Sequence, residues 1–168
     1  KGHLAKEIDA MGGLIARAAD LAAIHIKKLN SSKGKAVQAT RAQADRELYS
    51  KAIQTMISDQ QNLSVFEATA SKLIIENNEI KGLVTENGNK FFSRALVLTV
   101  GTFLNGVMHT GAKQTKGGRK GDKPSVILAE QLLELMPRTG RLKTGTPPRI
   151  LKASIDLEKL EEQKGDNP

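Results

Sequence analysis

The sequence predicts a domain of the α/β class, and three features of its pattern support this prediction. Apolar residues recur at helical spacing near the beginning of the chain, between residues 39 and 61, and after residue 124. Residues 63–94 are instead rich in short apolar stretches that are typical of strands. The run from Ala95 to Val100 is almost uninterrupted in its apolar character, which indicates a strand covered on both faces, as in a parallel sheet.

The first elements are predicted to be two short helices and a strand. Apolar positions at helical spacing are Leu4, Ile8, Met11, Ile15 and Ala18. The pair Gly12-Gly13 interrupts this pattern, and each glycine costs a helix about 1 kcal/mol relative to alanine. Two helices that meet at the pair are therefore expected. Residues 24–29 alternate between apolar and polar and predict a strand, and residues 30–35 predict a basic loop.

Residues 39–61 have the strongest helical pattern and predict one long helix. Its buried stripe is expected to contain Ala44, Leu48, Ala52, Ile53, Met56 and Ile57. The side chains expected on its solvent face are Arg41, Asp45 and Lys51.

The β-rich section is predicted to contain strands at 63–70 and 71–77 and a hairpin over 80–93, in which Asn87-Gly88 suits the positive φ angles of a tight turn. Residues 94–102 complete it with the buried strand described above.

The last third of the chain is predicted to be mostly loop. Residues 105–124 are rich in glycine and lysine, and residues 125–136 predict a helix with Ser125 as its N-cap. The segment "RLKTGTPPRI" (141–150) combines three cations with two prolines, which predicts a rigid basic loop. Residues 151–168 form a charged, peripheral tail. The sequence begins with Lys rather than Met, and we interpret it as a fragment of a longer protein.

Composition narrows the possible functions. The net charge of +8 and the pI of about 9.8 favour anionic partners. The chain has no cysteine, which excludes disulfides and thiolate chemistry within it and is consistent with a reducing cytoplasm. The three histidines have no metal-ligand spacing, so no metal site is expected. No apolar run approaches the roughly 20 residues of a membrane span.

Three features are candidate sites, and each has a simpler alternative. Gly101-Thr102 ends the predicted buried strand, where ligands bind in open α/β sheets, although the glycine could simply turn the chain. Ser125 could present its hydroxyl and free amides to a phosphate, or it could only cap its own helix. Three clusters of cations in loops suggest phosphate contacts, against the alternative of a solvated surface. They are Lys27, Lys28, Lys33 and Lys35; Lys113, Lys116, Arg119, Lys120 and Lys123; and Arg138, Arg141, Lys143 and Arg149. Aromatic residues make up only 3 %, which argues against a base-stacking surface.

Four segments, "LNSSKGKAVQATRAQADRELY", "VLTVGTFLNG", "GGRKGDKPS" and "GRLKTGTPPRI", resemble in sequence and order the MnmG family, also called GidA, of tRNA-modifying flavoenzymes. The resemblance covers nearly all of the chain. It implies part of a glutathione-reductase-like FAD-binding domain with a β-meander insertion. The first strand of its opening βαβ unit and the glycine-rich turn would precede residue 1.

The resemblance also implies an activity. The family's enzymes use FAD and NADH and, with a GTPase partner of the MnmE type, add an aminomethyl-type group, such as carboxymethylaminomethyl, at C5 of the wobble uridine 34 of certain tRNAs. The carbon unit comes from methylene-tetrahydrofolate. The expected protein is a cytoplasmic homodimer. The family's catalytic cysteines lie outside this chain, so no catalytic residue is expected in it, and the fragment alone is expected to be inactive.

Residues that match the family's motifs are expected at its sites. The positions expected to contact FAD are Ala70, Thr99, Gly101, Thr102 and Ser125. The positive charge, rather than a family motif, indicates the positions expected to contact tRNA, which are Lys33, Arg41, Arg119, Lys143 and Arg149. For Lys143 and Arg149, an anionic cofactor is the alternative ligand. Two residues depart from the family pattern, since Lys35 replaces a usual proline and Gln38 replaces a usual arginine. Two other functions stay open from the residues: a non-catalytic basic RNA-binding module, and an FAD oxidoreductase that acts on a small molecule.

Overall fold

The computed structural model describes residues 2–136 and 138–166, and these residues form two compact units. The first unit contains the residues up to Val65 and those from Pro148 onward, and the second contains residues 66–147. Both units combine helices with strands, which confirms the predicted α/β class. Within the described ranges, no helix has both the length and the apolar content needed to cross a membrane.

The first unit begins with two helices, α1 (Gly2–Ala10) and α2 (Leu14–Ala22), which are separated at Gly12 and Gly13. Gly12 has a φ of 85°, and a Cβ on Gly13 would overlap Cγ2 of Ile8. Neither position accepts a larger residue without strain, so the prediction of two helices divided by the glycine pair is confirmed.

An antiparallel hairpin of β1 (Ala23–Leu29) and β2 (Ala39–Ala44) follows. The strand predicted at 24–29 is confirmed. The helix predicted over 39–61 is wrong in its first part, because residues 39–44 pair with β1 and place Arg41 opposite Lys27. This pairing is a tertiary interaction that overrides the helix propensity of the segment. Arg41 is exposed on a strand rather than on a helix.

Helix α3 (Arg46–Ser58) begins immediately after β2 because Asp45 caps it. The carboxylate of Asp45 accepts hydrogen bonds from the backbone N–H groups of Glu47 and Leu48, both at 2.9 Å. Asp45 is therefore the N-cap of α3 and not, as predicted, a residue on the solvent face within a longer helix. The helix packs against α2, which buries Ala18 and Ala22. The predicted stripe on α3 is half-buried except for Leu48, which is exposed.

The tail of the chain lies along the outer edge of β1. After 3₁₀ turns at Lys152–Ser154 and Leu157–Lys159, the backbone N–H of Asp166 donates to the carbonyl oxygen of Ile26 at 2.9 Å. Nε2 of His25 donates to the carbonyl oxygen of Gln163 at 3.0 Å. The tail is thus hydrogen-bonded to the sheet of the first unit.

The second unit contains a three-stranded antiparallel meander of β3 (Ala70–Glu76), β4 (Glu79–Thr85) and β5 (Lys90–Phe92). The predicted hairpin is confirmed, although in the pair Asn87-Gly88 only Gly88 has a positive φ, of 85°. The preceding turn uses two residues with positive φ, Asn77 and Asn78, as a tight hairpin requires.

Helix α4 (Ile127–Leu135) packs against β3. Its buried residues Leu128 and Ala129 and the strand residue Leu73 form the core of this unit. Gln131 links the two elements, because its Oε1 accepts from the N–H of Leu73 at 2.7 Å and its Nε2 donates to the carbonyl of Leu73 at 3.0 Å. The side-chain amide of Gln131 thereby occupies the place that a neighbouring strand would take.

Two of the predicted strands are not formed as strands. In the described structure, residues 63–69 and 94–100 belong to no sheet, and the strand predicted at 63–70 is present only from Ala70. Val97 is 83 % exposed, so the prediction of a strand covered on both faces is wrong. The reason is that a strand needs a hydrogen-bonded neighbour, and among the described residues all the sheets are antiparallel and none includes this segment.

The predicted loop at 105–124 contains a further hairpin, of β6 (Val107–Thr110) and β7 (Lys113–Lys116). Gly111, with a φ of 59°, stands in its turn. The prediction of a loop is therefore wrong for these strands. Their residues are mostly polar and do not show the apolar pattern that predicts a strand.

Candidate functional site

The segment 94–100 ends in a sharp turn at Gly101. The N–H of Phe103 approaches the carbonyl of Val100 at 3.4 Å, and Gly101 has a φ of 59°. Apart from its two chain neighbours, no described residue has an atom within 4 Å of the position that a Cβ on Gly101 would take. The glycine therefore serves the backbone conformation, and it also leaves this stretch of backbone open to a ligand.

The start of the α4 region is joined to this turn through Ser125. The N–H of Ser125 donates to the carbonyl of Phe103 at 2.9 Å, and the carbonyl of Ser125 accepts from the N–H of Asn105 at 3.0 Å. These bonds form a short parallel bridge between Ser125 and Leu104. The prediction of Ser125 as N-cap is wrong, because Val126 occupies that position and has no side-chain cap. The hydroxyl of Ser125 makes no hydrogen bond within the described part of the chain, so it is available to a ligand.

Glycines hold the turn against the loop that follows β7. The hydroxyl of Thr102 donates to the carbonyl of Gly118 at 3.2 Å. A Cβ on Gly106 would lie 2.5 Å from the carbonyl oxygen of Thr102, and one on Gly118 would lie 2.7 Å from the same oxygen. Only glycine allows two backbones to approach this closely. The roles of Gly106 and Gly118 were not predicted from the sequence, although the Gly117-Gly118 pair was the available signal.

Arg141, the first residue of the predicted basic loop, is bound to the same turn. Its Nη1 donates to the carbonyl of Leu104 at 3.0 Å and its Nη2 donates to the carbonyl of Asn105 at 2.9 Å. This forked contact uses the planar geometry of the guanidinium group. Arg141 was predicted as one of a cluster of phosphate-binding cations, but its position shows a structural role.

The structure brings together three of the five predicted cofactor residues, Gly101, Thr102 and Ser125. The other two lie outside this turn. Thr99 is exposed on the segment just before it, and Ala70 is half-buried at the start of β3, where it pairs with Thr85. The turn presents backbone and hydroxyl groups, and residues 99–106 contain no acidic side chain.

The five predicted nucleic-acid contacts divide between the two units. Lys33, Arg41 and Arg149 belong to the first unit, and Arg119 and Lys143 belong to the second. All five are exposed. Arg119 already has an anionic partner, because its Nε lies 2.7 Å from Oδ2 of Asp122.

These features define an α/β protein with an open backbone turn at the end of an apolar segment. The chain matches the model of the family described as "Glucose inhibited division protein A" over residues 1–168. The chain therefore belongs to the GidA family.

Solved structures agree with this assignment. Two crystal forms of GidA from Aquifex aeolicus are each 40 % identical to the chain, with TM-scores of 0.85 and 0.86. The matches cover 100 % and 99 % of this chain and 28 % of the Aquifex chain in both forms. A GidA-related protein from Thermus thermophilus matches with a TM-score of 0.50 and 26 % identity, over 56 % of this chain and 42 % of that one. The chain thus spans little more than a quarter of the length of the Aquifex protein.

Proposed function

We propose that this chain is part of a flavoenzyme that modifies tRNA, and that the enzyme adds an aminomethyl-type group, such as carboxymethylaminomethyl, at C5 of wobble uridine 34. The observation that carries the proposal is the family match over residues 1–168, because the family is one of tRNA-modifying flavoproteins. The enzyme is proposed to use NADH and methylene-tetrahydrofolate, to work with a GTPase partner and to act as a cytoplasmic homodimer. Its catalytic residues are proposed to lie outside this chain.

The turn that begins at Gly101 suits the binding of FAD. FAD is an anionic dinucleotide, and the turn offers the open backbone at Gly101, the exposed Thr102 and the free hydroxyl of Ser125, with the exposed Thr99 just before it. The absence of acidic side chains from residues 99–106 avoids repulsion of the pyrophosphate. Ala70 is proposed as a further, backbone contact. When bound, FAD would supply the redox chemistry, while these residues bind and orient it.

The exposed cations suit the binding of tRNA. Lys33, Arg41, Lys143 and Arg149 are proposed to contact phosphates, and such contacts make affinity depend strongly on salt concentration. Arg119 is a weaker candidate because Asp122 already neutralises it.

The proposal is tested first by the cofactor of the purified full-length protein. We expect a yellow protein that releases FAD on denaturation. Ser125→Ala should retain less FAD, because it removes a free hydroxyl from the turn, whereas Ser50→Ala should retain as much as the unchanged protein, because Ser50 lies on the exposed face of α3. FAD content is read from the visible spectrum relative to protein concentration.

Two results would contradict the proposal in different ways. A colourless protein that takes up no added FAD but binds tRNA would indicate the non-catalytic RNA-binding module. A flavoprotein whose affinity for tRNA is absent at low salt would indicate an oxidoreductase that acts on a small molecule.

A further inference from the structure

The β6–β7 hairpin and the loop after it carry a concentrated positive charge. Residues 107–123, here called the basic arm, contain five cations and one acid, a net charge of +4. This is half of the net charge of the whole chain, which is +8. The cations are Lys113, Lys116, Arg119, Lys120 and Lys123, and the acid is Asp122.

The four lysines of the arm have no structural task in the described part of the protein. Asp122, the only acid of the arm, is occupied by Arg119 at 2.7 Å. The lysines are exposed, and among residues 2–136 and 138–166 none of their side chains has a salt-bridge or hydrogen-bond partner. Their charges are therefore available to an external anion.

The backbone of the arm presents these lysines in several directions. Lys113 pairs across the hairpin with Thr110, and Lys116 pairs with Val107, which places the two lysines on opposite faces because their positions differ by an odd number. Lys120 lies in a turn closed by a hydrogen bond from the N–H of Asp122 to the carbonyl of Arg119 at 3.1 Å, and Gly121 in this turn has a φ of 94°. Such an arrangement reaches several phosphates rather than one pocketed anion.

The arm contributes little to the core. Apart from the half-buried Met108, both of its strands are exposed on both faces, and a two-stranded hairpin alone is only marginally stable in water. It is held at its base, where the N–H of Gly117 donates to the carbonyl of Gly106 at 2.8 Å. Val107, 43 % exposed, is its one large exposed apolar residue in the structure as described, so an apolar protein partner is disfavoured.

The chemistry of the arm selects among anionic ligands. The arm has no Phe, Tyr or Trp, so it lacks the large aromatic side chains of a base-stacking surface, and free lysines act as point charges for phosphates. We infer that the basic arm binds the phosphate backbone of the tRNA substrate through Lys113, Lys116 and Lys120. This inference rests on the proposed function and adds to it the element of the protein that receives the RNA.

A footprint of lysine reactivity tests the inference without any mutation. The full-length protein is acetylated with and without saturating tRNA, and modification of each lysine is measured by mass spectrometry. Lys113, Lys116 and Lys120 should become protected by tRNA. Lys51 on α3 and Lys72 on β3 are exposed lysines of the same kind and should not change. Equal modification of the three arm lysines with and without tRNA would overturn the inference.

Salt dependence gives an independent measurement. Replacement of the three lysines by glutamine removes up to three phosphate contacts, and each contact contributes about 0.7 to 0.9 to the slope of log affinity against log salt. When salt is raised from about 50 to 200 mM, both proteins lose affinity for tRNA. The factor lost by the glutamine variant should be smaller than the factor lost by the unchanged protein by roughly 20- to 40-fold. The triple replacement by arginine keeps the charge and should keep the slope.

The outcomes separate this inference from the proposed function. If the unchanged protein does not bind tRNA at low salt, the proposed function fails. If it binds tRNA, and the glutamine variant retains both its FAD and the original slope, only the role of the arm fails. If the glutamine variant loses FAD, the footprint of the unchanged protein decides whether the arm binds tRNA.

Discussion

The β1–β2 hairpin and the basic arm have nearly the same charge but differ in how they are held. Residues 23–44 contain five cations and no acid, against five cations and one acid in the arm. In the β1–β2 hairpin, the tail of the chain covers the outer edge of β1. The N–H of Lys28 donates to Oδ2 of Asp166 at 2.6 Å, and Nζ of Lys27 donates to the carbonyl of Lys164 at 3.0 Å.

The loop between β1 and β2 is also braced from within. Nε2 of Gln38 donates to the carbonyls of Ser31 and Lys33, at 3.2 and 2.8 Å, and Nδ2 of Asn30 donates to the carbonyl of Val37 at 3.0 Å. Among the described residues, the β6–β7 hairpin is held by its backbone ladder and its glycine base. Nearly equal charges, +5 and +4, are therefore presented on a braced surface in one unit and on a less supported arm in the other, which net charge alone does not reveal.

The largest effect is expected from a change at the base of the arm. Gly118→Ala places a Cβ 2.7 Å from the carbonyl oxygen of Thr102 and 2.9 Å from the ring of Phe103. Overpacking of this kind costs about 1–3 kcal/mol, so the arm should detach from the turn. Hydrogen exchange of the amides of β6 and β7 should accelerate, while that of β1 and β2 should not.

Gly140→Ala is the matched control for this change, because among the described residues none but its chain neighbours has an atom within 4 Å of its Cβ position. If both alanine variants showed the same exchange in β6 and β7, the glycine packing would not be what holds the arm.

An intermediate effect is expected in the braced loop. Gln38→Ala removes two hydrogen bonds, each of which contributes about 0.5–1.5 kcal/mol, and should accelerate exchange of the amides of residues 31–37. The control is Gln43→Ala, since Gln43 is exposed on β2 and makes no side-chain hydrogen bond in the described ranges. Equal protection of the loop in both variants would mean that Gln38 does not brace it.

The smallest effect is expected where the tail meets β1. Lys27→Met keeps most of the aliphatic stem and removes the donor to Lys164, and because this hydrogen bond is exposed to solvent its loss should cost less than about 1 kcal/mol. Limited proteolysis should cut residues 160–166 somewhat faster. Lys28→Met is the control, because Lys28 contacts the tail through its backbone N–H only. Cleavage at an unchanged rate in Lys27→Met would show that the tail is held by its backbone alone.

The sequence predicts the local parts of the fold well and the non-local parts poorly. The meander follows from turn residues such as Gly88, and the division of α1 from α2 follows from Gly12 and Gly13, because these signals act within a few residues. β2 was missed because its strand conformation depends on pairing with β1. β6 and β7 were missed because strands exposed on both faces lack an apolar pattern.

The candidate site also combines local features, which the sequence predicts, with non-local contacts, which it does not. Gly101 and Thr102 could be predicted because they end an apolar run, and Ser125 because it precedes a helical pattern. The forked contact of Arg141 with Leu104 and Asn105 could not be predicted, since 36 residues separate it from the nearer of these acceptors. The role of Gly106 likewise depends on a backbone that approaches it from a distant part of the sequence.

The contact between Gln131 and β3 has a consequence for self-association. Strands at the edge of a sheet expose unpaired N–H and C=O groups that can recruit a strand from another molecule. Leu73 stands near the middle of β3, and the side-chain amide of Gln131 occupies both its N–H and its C=O. A strand from another molecule could not pair along the full length of this edge without displacing the glutamine, so one side chain protects the meander from growing into an intermolecular sheet.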